Sequence, residues 1–180
     1  MSKRKVTLAI ICEDTQQECF ARKFLYGMGW NKRQLRVVKS PSGRGSGEQW
    51  VRETYVNELV SYRRSHVNYA FMAIVDGDTC GVQGRILQFD NKCIELEYPV
   101  RKAEDQVAII VPTRNIETWI KFLEGNPVDE TSSYHKLRYE SKCKPAVDRL
   151  LDYCKGQGLP LEAPNSLQAA CVEFRTRIQQ

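Results

Sequence analysis

Two acidic motifs, each closing an apolar run, carry the chemistry most legible in this chain. The first is Ile10-Ile11-Cys12-Glu13-Asp14, at the end of Val6 to Cys12; the second is Ala73-Ile74-Val75-Asp76-Gly77-Asp78, at the end of Tyr69 to Val75. Carboxylates gathered at one place repel one another unless protons or a cation relieve them. Magnesium takes oxygen ligands and commonly keeps several waters beside one or two carboxylates. Glu13, Asp76 and Asp78 are therefore candidate ligands for Mg²⁺ (or Mn²⁺). Gly77 lets the backbone bend so that both aspartates reach one ion. Asp-Gly-Asp also reads as an ordinary turn, since both residue types favour turns; Glu13 at the matching end of another run is what tilts the balance toward a metal.

A third strand end repeats the pattern in Ile109-Ile110-Val111-Pro112-Thr113-Arg114-Asn115-Ile116-Glu117. Glu117 falls in the first turn of the next helix. There it can complement the helix dipole and pair with Lys121 four residues on, a contribution under about 1.5 kcal/mol. It can equally serve as a fourth acid for a second ion, with Arg114 and Lys121 on substrate phosphate. The loop Gly43-Arg44-Gly45-Ser46-Gly47 is either a plain exposed linker or a flexible contact to a nucleic-acid backbone through Arg44.

The elements that must position these groups alternate. Val6–Cys12, Leu35–Lys39, Tyr69–Val75 and Gln106–Val111 read as strands. Short apolar runs of this kind, rich in β-branched residues, suit a parallel sheet buried on both faces. Helices are expected over Thr15–Met28, Glu48–Arg64 and Asn115–Glu124, the last with Ile116, Trp119, Ile120 and Leu123 in one apolar stripe. Pro145–Lys155 and Ser166–Ile178 are amphipathic in the same way. Val82–Glu97 is ambiguous: its apolar spacing suits a helix, while Cys93–Tyr98 alternates like a strand. The order predicts an α/β fold, a single three-layer Rossmann-like domain with a mostly parallel sheet, right-handed crossovers and C-terminal helices. Residues 1–124 form the core, with 125–180 a helical extension packed on the same domain. Acids past the C-terminal ends of such strands lie where open α/β sheets place their binding crevice.

Composition narrows the choices. A chain of 180 residues with 42% hydrophobic and 27% charged residues is sized and composed for one globular domain. No stretch approaches the roughly 18 apolar residues of a membrane span, and no small-residue cleavage site follows the basic N-terminus. The seven cysteines are odd in number and include no C-x-x-C, which argues against a disulfide framework or a structural zinc and for reduced thiols in the cytoplasm. A net charge of +5 permits a nucleic-acid partner, DNA or RNA, without requiring one. His66 and His135 sit in no metal-spaced cluster; His135, in Tyr134-His135-Lys136-Leu137-Arg138, belongs either to a plain surface or to a basic, aromatic-interleaved one. The glycine loop fits neither the P-loop nor the dinucleotide pattern, and no G-x-S-x-G elbow or cysteine–histidine pair points to a side-chain nucleophile.

With these residues in view, the chain resembles the Toprim domain, the α/β module of topoisomerases, primases and OLD-type nucleases. Ile11-Cys12-Glu13-Asp14-Thr15-Gln16-Gln17-Glu18 is similar to its first-strand glutamate element, with Asp14 where a glycine is usual. Val75-Asp76-Gly77-Asp78 is similar to its D-x-D, and Val111 to Ile120 resembles the proline-to-Glu-x-Trp segment of small RloB-type proteins. The resemblance spans roughly residues 5 to 124. It implies metal-dependent phosphodiester hydrolysis of nucleic acid, with Glu13, Asp76, Asp78 and Glu117 as the catalytic acids and Arg44, Arg114 and Lys121 on phosphates. It also implies a bacterial defence or mobile-element setting, often beside an ATPase subunit. Two alternatives stay open: a non-catalytic subunit of an ATPase complex that keeps the fold, and a receiver-like phosphoacceptor module, for which the lysine expected before Pro112 is replaced by Val111.

Overall fold

A computed structural model describes residues 7–41, 46–65 and 68–179. Strands β1 (Thr7–Cys12), β2 (Leu35–Lys39), β3 (Tyr69–Ile74) and β4 (Val107–Ile110) form one sheet in the order β2-β1-β3-β4, and every pair is parallel. Cys12 lies opposite Lys39 on one side and Ile74 on the other, and Ile74 lies opposite Ile110. The strands therefore end nearly level, and the segments following β1, β3 and β4 emerge along one edge.

Alternation sorts the strand side chains into two buried layers. Leu8, Ile10, Cys12, Ala70, Met72, Ile74, Ala108 and Ile110 face α1 (Thr15–Gly27), α4 (Ile116–Leu123), α5 (Lys144–Lys155) and α6 (Asn165–Arg177). Ala9, Ile11, Phe71, Ala73, Val107 and Ile109 face α2 (Gly47–Arg64) and α3 (Gly81–Glu95). The architecture is thus the expected three-layer α/β fold, with a sheet that is wholly parallel.

The ambiguous stretch after Asp78 resolves as α3. Its inward stripe runs Arg85, Phe89, Cys93 at a spacing of four, and Phe89 packs edge-on against Tyr55 of α2 with ring centroids 4.7 Å apart. The strand-like alternation near Tyr98 is only the helix exit, where the Tyr98 N–H closes back on the Cys93 carbonyl at 2.8 Å. The C-terminal helices share the core of the sheet. Trp119 Nε1 of α4 donates to Ser166 Oγ of α6 at 2.8 Å. On the outer edge of β4, the Ile109 N–H donates to the Glu173 carboxylate of α6 at 3.1 Å. An exposed parallel edge invites further pairing, and α6 covers this one.

Candidate active site

The chain leaves β1 toward β2 on one side and returns past it to β3 on the other, which makes the β1/β3 boundary the topological switch point where open α/β sheets bind ligands. Glu13 follows β1 and Asp76 follows β3, so both stand at that boundary. They are joined directly: Glu13 Oε1 accepts the backbone N–H of Asp76 at 2.6 Å. They are also joined through Gln17, which is fully buried. Its Oε1 accepts the Glu13 N–H at 2.9 Å, and its Nε2 donates to Asp76 Oδ1 at 3.0 Å. Gln17 is in place because Asp14 caps α1, taking the Gln17 N–H at 2.9 Å.

Two glycines make room for the pair. A Cβ on Gly47, the first residue of α2, would stand 3.3 Å from Glu13 Oε2. The Glu13 carboxylate is therefore pressed against a helix N-terminus, whose dipole favours negative charge. A Cβ on Gly77 would meet the Pro112 carbonyl at 3.1 Å and Thr113 Cα at 3.2 Å. The missing side chain lets the turn after β3 lie close against the segment after β4, where the Gly77 N–H donates to the Pro112 carbonyl at 2.7 Å.

Electrostatically the pair is under tension. Burial, reinforced by the charge of Glu13, pushes the Asp76 carboxyl up to about 8, even though the Gln17 amide favours its ionised form; Asp14 and Glu117 add to the rise. Burial also raises Glu13, against the lowering influence of its bonds to Asp76 and Gln17. At neutral pH Asp76 therefore tends to hold its proton, which a cation can displace. Glu117 is almost wholly buried, and its Oε1 has no hydrogen-bond partner among the described residues. Burial raises it as well, with Asp14 adding to the rise while its own N–H and Lys136 oppose it. Lys136 reaches in from the connection before α5 to pair with Asp14 at 2.6 Å.

Asp78 is near enough for its charge to add to the rise at Glu13, but its carboxylate is engaged elsewhere. Its φ is +44°, it bridges to Arg114 across the turn, and its largely exposed carboxylate accepts Arg85 Nη2 at 2.6 Å. Among the described residues no three histidine, cysteine or acidic side chains converge as a ready-made metal cage. The structure thus assembles Glu13 and Asp76, sets Glu117 in their field, and ties Asp78 to an arginine. The donors that remain are oxygens, one of them without a partner, and suit a hard cation that keeps waters of its own.

Of the candidate phosphate contacts, Arg114 has a left-handed backbone, with φ at +64°, and a buried Nε without a partner among the described residues. Lys121 pairs with Glu124 at 3.7 Å rather than with Glu117. Arg44 and His66 lie outside the described residues. His135 is exposed, within a run that also exposes Lys136, Arg138, Tyr139 and Lys142. Arg138 and Lys142 both stand over the Tyr139 ring, 5.3 and 5.5 Å from its centroid. Gln16 Nε2 ties this run to α1 through the Glu140 carbonyl at 3.3 Å.

Two positioning residues escaped the sequence reading. Arg85 is a buried cation whose Nε donates to the Asp76 carbonyl at 2.8 Å while its Nη atoms hold Asp78 and, at 3.0 Å, Glu48. Its signal was a charged residue on the apolar stripe of a helix, four before Phe89. Gln17 stands three residues after the cap, the place of a capping-box glutamine, but reaches one residue further back than that motif does.

Comparison with family models, with curated proteins and with solved structures gives no match. No described helix is long and apolar enough to cross a membrane.

Proposed function

We propose that this protein hydrolyses phosphodiesters of nucleic acid in a metal-dependent, Toprim-type reaction, with Mg²⁺ or Mn²⁺ held by Glu13 and Asp76. The observation that carries this reading is the pairing of the two acids at the switch point, bracketed by Gln17, with Asp76 raised to about 8. A carboxyl raised by burial and by a specific charged neighbour, at the crevice of an open sheet, has the character of a functional-site acid. The motif resemblance supplies the reaction class, the bacterial defence or mobile-element setting and an ATPase partner.

Bound there, the cation would activate water and stabilise charge on the phosphoryl oxygens. Gln17 keeps Asp76 Oδ1 turned toward Glu13, and Arg85 fixes the Asp76 carbonyl so that the strand end cannot rotate away. Glu117, buried with its carboxyl raised, would act in this reading as the acid toward a departing oxygen. Lys136 and the basic run after it offer charge to the backbone of the substrate.

A second reading, a non-catalytic subunit that keeps the fold, is favoured by the Asp78–Arg85 pair, since an arginine occupies one of the three acids expected to bind metal. The two readings part in one assay: purified protein with Mg²⁺ or Mn²⁺ and single-stranded DNA, duplex DNA, total RNA or tRNA. Cleavage lost in both Glu13→Gln and Asp76→Asn supports the enzyme. Absence of cleavage on every substrate, or cleavage unchanged in either folded variant, refutes it.

A further inference from the structure

Away from the acid cluster, the joint between α5 and α6 holds a pair of thiols that the proposed reaction does not use. Cys154 lies in the last turn of α5 and Cys171 in the middle of α6. Both line an open cleft of about 160 Å³ that also contains Gly158, Gln168 and Arg175, and each thiol acts on the other. Arg175 stands four residues after Cys171, so its guanidinium shares a helix face with that thiol, and its charge favours the thiolate at both sulfurs. Both cysteines are only partly buried.

The remaining thiols provide the contrast. Cys12, Cys93 and Cys143 are buried, and burial pushes each of them up, to about 12, 11 and 12. Cys19 is the partner of Cys143 in a second contact pair, between α1 and the turn before α5, but the Cys143 end of that pair has no exposure at all. Cys80 is exposed, and its sulfur accepts from Gln88 Nε2 at 3.6 Å. Only the Cys154–Cys171 pair combines access, a neighbouring cation and a second thiol in reach, the three properties of a redox-sensing cysteine site.

We propose that Cys154 and Cys171 form a peroxide-responsive dithiol that closes into a disulfide between α5 and α6. Cys154 sits in the last turn of α5, and its contact with Cys171 and the charge of Arg175 both favour its thiolate. Cys154 is therefore the attacking sulfur and Cys171 the resolving one. The Cys154 thiolate attacks one oxygen of hydrogen peroxide, breaks the O–O bond and becomes a sulfenic acid, while the departing hydroxide takes a proton and leaves as water. The Cys171 sulfur then attacks the sulfenic sulfur, the S–S bond forms, and a second water leaves with the Cys171 proton. Two thiols are oxidised, one peroxide is reduced, and two waters account for every atom. The product ties the end of α5 to α6 across the connection at 156–164, in the layer that covers β4.

The test uses the full chain, reduced, then treated with one equivalent of hydrogen peroxide and digested for mass spectrometry. A single Cys154–Cys171 cross-link is expected, with free thiols falling from the seven of the sequence by two and returning on reduction. Brief alkylation of the native protein should label Cys154 at least tenfold faster than Cys80. Cys171→Ser should leave Cys154 as a sulfenic acid that a 1,3-diketone probe captures. Cross-linking of Cys19 to Cys143 in preference, labelling of Cys80 as fast as Cys154, or seven thiols surviving the peroxide each overturns the proposal. The labelling comparison and the cross-link map are made on the unsubstituted protein, so misfolding of a serine variant leaves both decisive.

Discussion

Asp76→Asn should stabilise this protein, and by an amount that depends on pH. The carboxyl of Asp76 is displaced from 3.8 to about 8 by burial and by the charge of Glu13. A raised acid binds more protons in the folded state than in the unfolded one, so stability falls as pH rises from about 4 to about 8 and is flat above. At about 1.4 kcal/mol per pH unit, Asp76 costs the fold roughly 4 kcal/mol at pH 7 and between 1 and 2 at pH 5. Asparagine keeps an oxygen for the Gln17 amide, which donates at 3.0 Å, and removes the titration. The gap between variant and parent in urea unfolding should therefore widen by about 3 kcal/mol between pH 5 and pH 7, equivalent to roughly 10 °C in Tm for a chain of this size. Parallel stability curves for the two proteins across that range would refute the electrostatic reasoning, whatever their offset.

Three further outcomes follow from neighbouring residues. Arg85→Met leaves the Asp76 carbonyl without its buried donor and the Glu48 carboxylate with Arg52 alone, and should cost about 1 to 3 kcal/mol in urea unfolding; a loss under about 0.5 kcal/mol, the scale of an exposed surface substitution, would show the clamp to be incidental. Gly77→Ala forces a Cβ against the Pro112 carbonyl and should cost about 1 to 3 kcal/mol while abolishing metal-dependent cleavage; calorimetry and the cleavage assay on one preparation check both. Removing Arg138 and Lys142 together should weaken binding of labelled single-stranded nucleic acid, measured by fluorescence anisotropy, and lower the slope of log affinity against log salt by about 1 to 2. An unchanged slope would take the Tyr139 surface out of the interface.

Much of the architecture could be read from the chain because buried parallel strands leave an unmistakable mark: Leu8 to Cys12 and Ala70 to Val75 are apolar at every position, as burial on two faces demands. Glu13 and Asp76 were legible for the same reason, each being the first acid after such a run. Asp78 shows where linear reasoning stops. Spacing puts it on the same ion as Asp76, but the turn places it with φ at +44° and Arg85, nine residues from Asp76, captures it. That capture is a contact between a turn and a helix, and no spacing rule encodes it. Cys93 to Tyr98 alternates like a strand, yet the helical stripe Arg85, Phe89, Cys93 governs, because it buries Phe89 against Tyr55. The Glu117–Lys121 pair, one of the two roles open to Glu117, does not form: Glu117 is buried with α4, and Lys121 pairs with Glu124 instead.

The claim on which the rest depends is that Glu13 and Asp76 share a divalent cation at the β1/β3 switch point. Manganese binding followed by electron paramagnetic resonance tests it most directly, because free Mn²⁺ gives a sharp signal that binding broadens. Titration of the native protein at pH 7.5 should show a saturable bound ion, lost in both Glu13→Gln and Asp76→Asn and competed by Mg²⁺. Equal Mn²⁺ affinity in native protein and in either folded variant, or no saturable binding at all, would contradict the account.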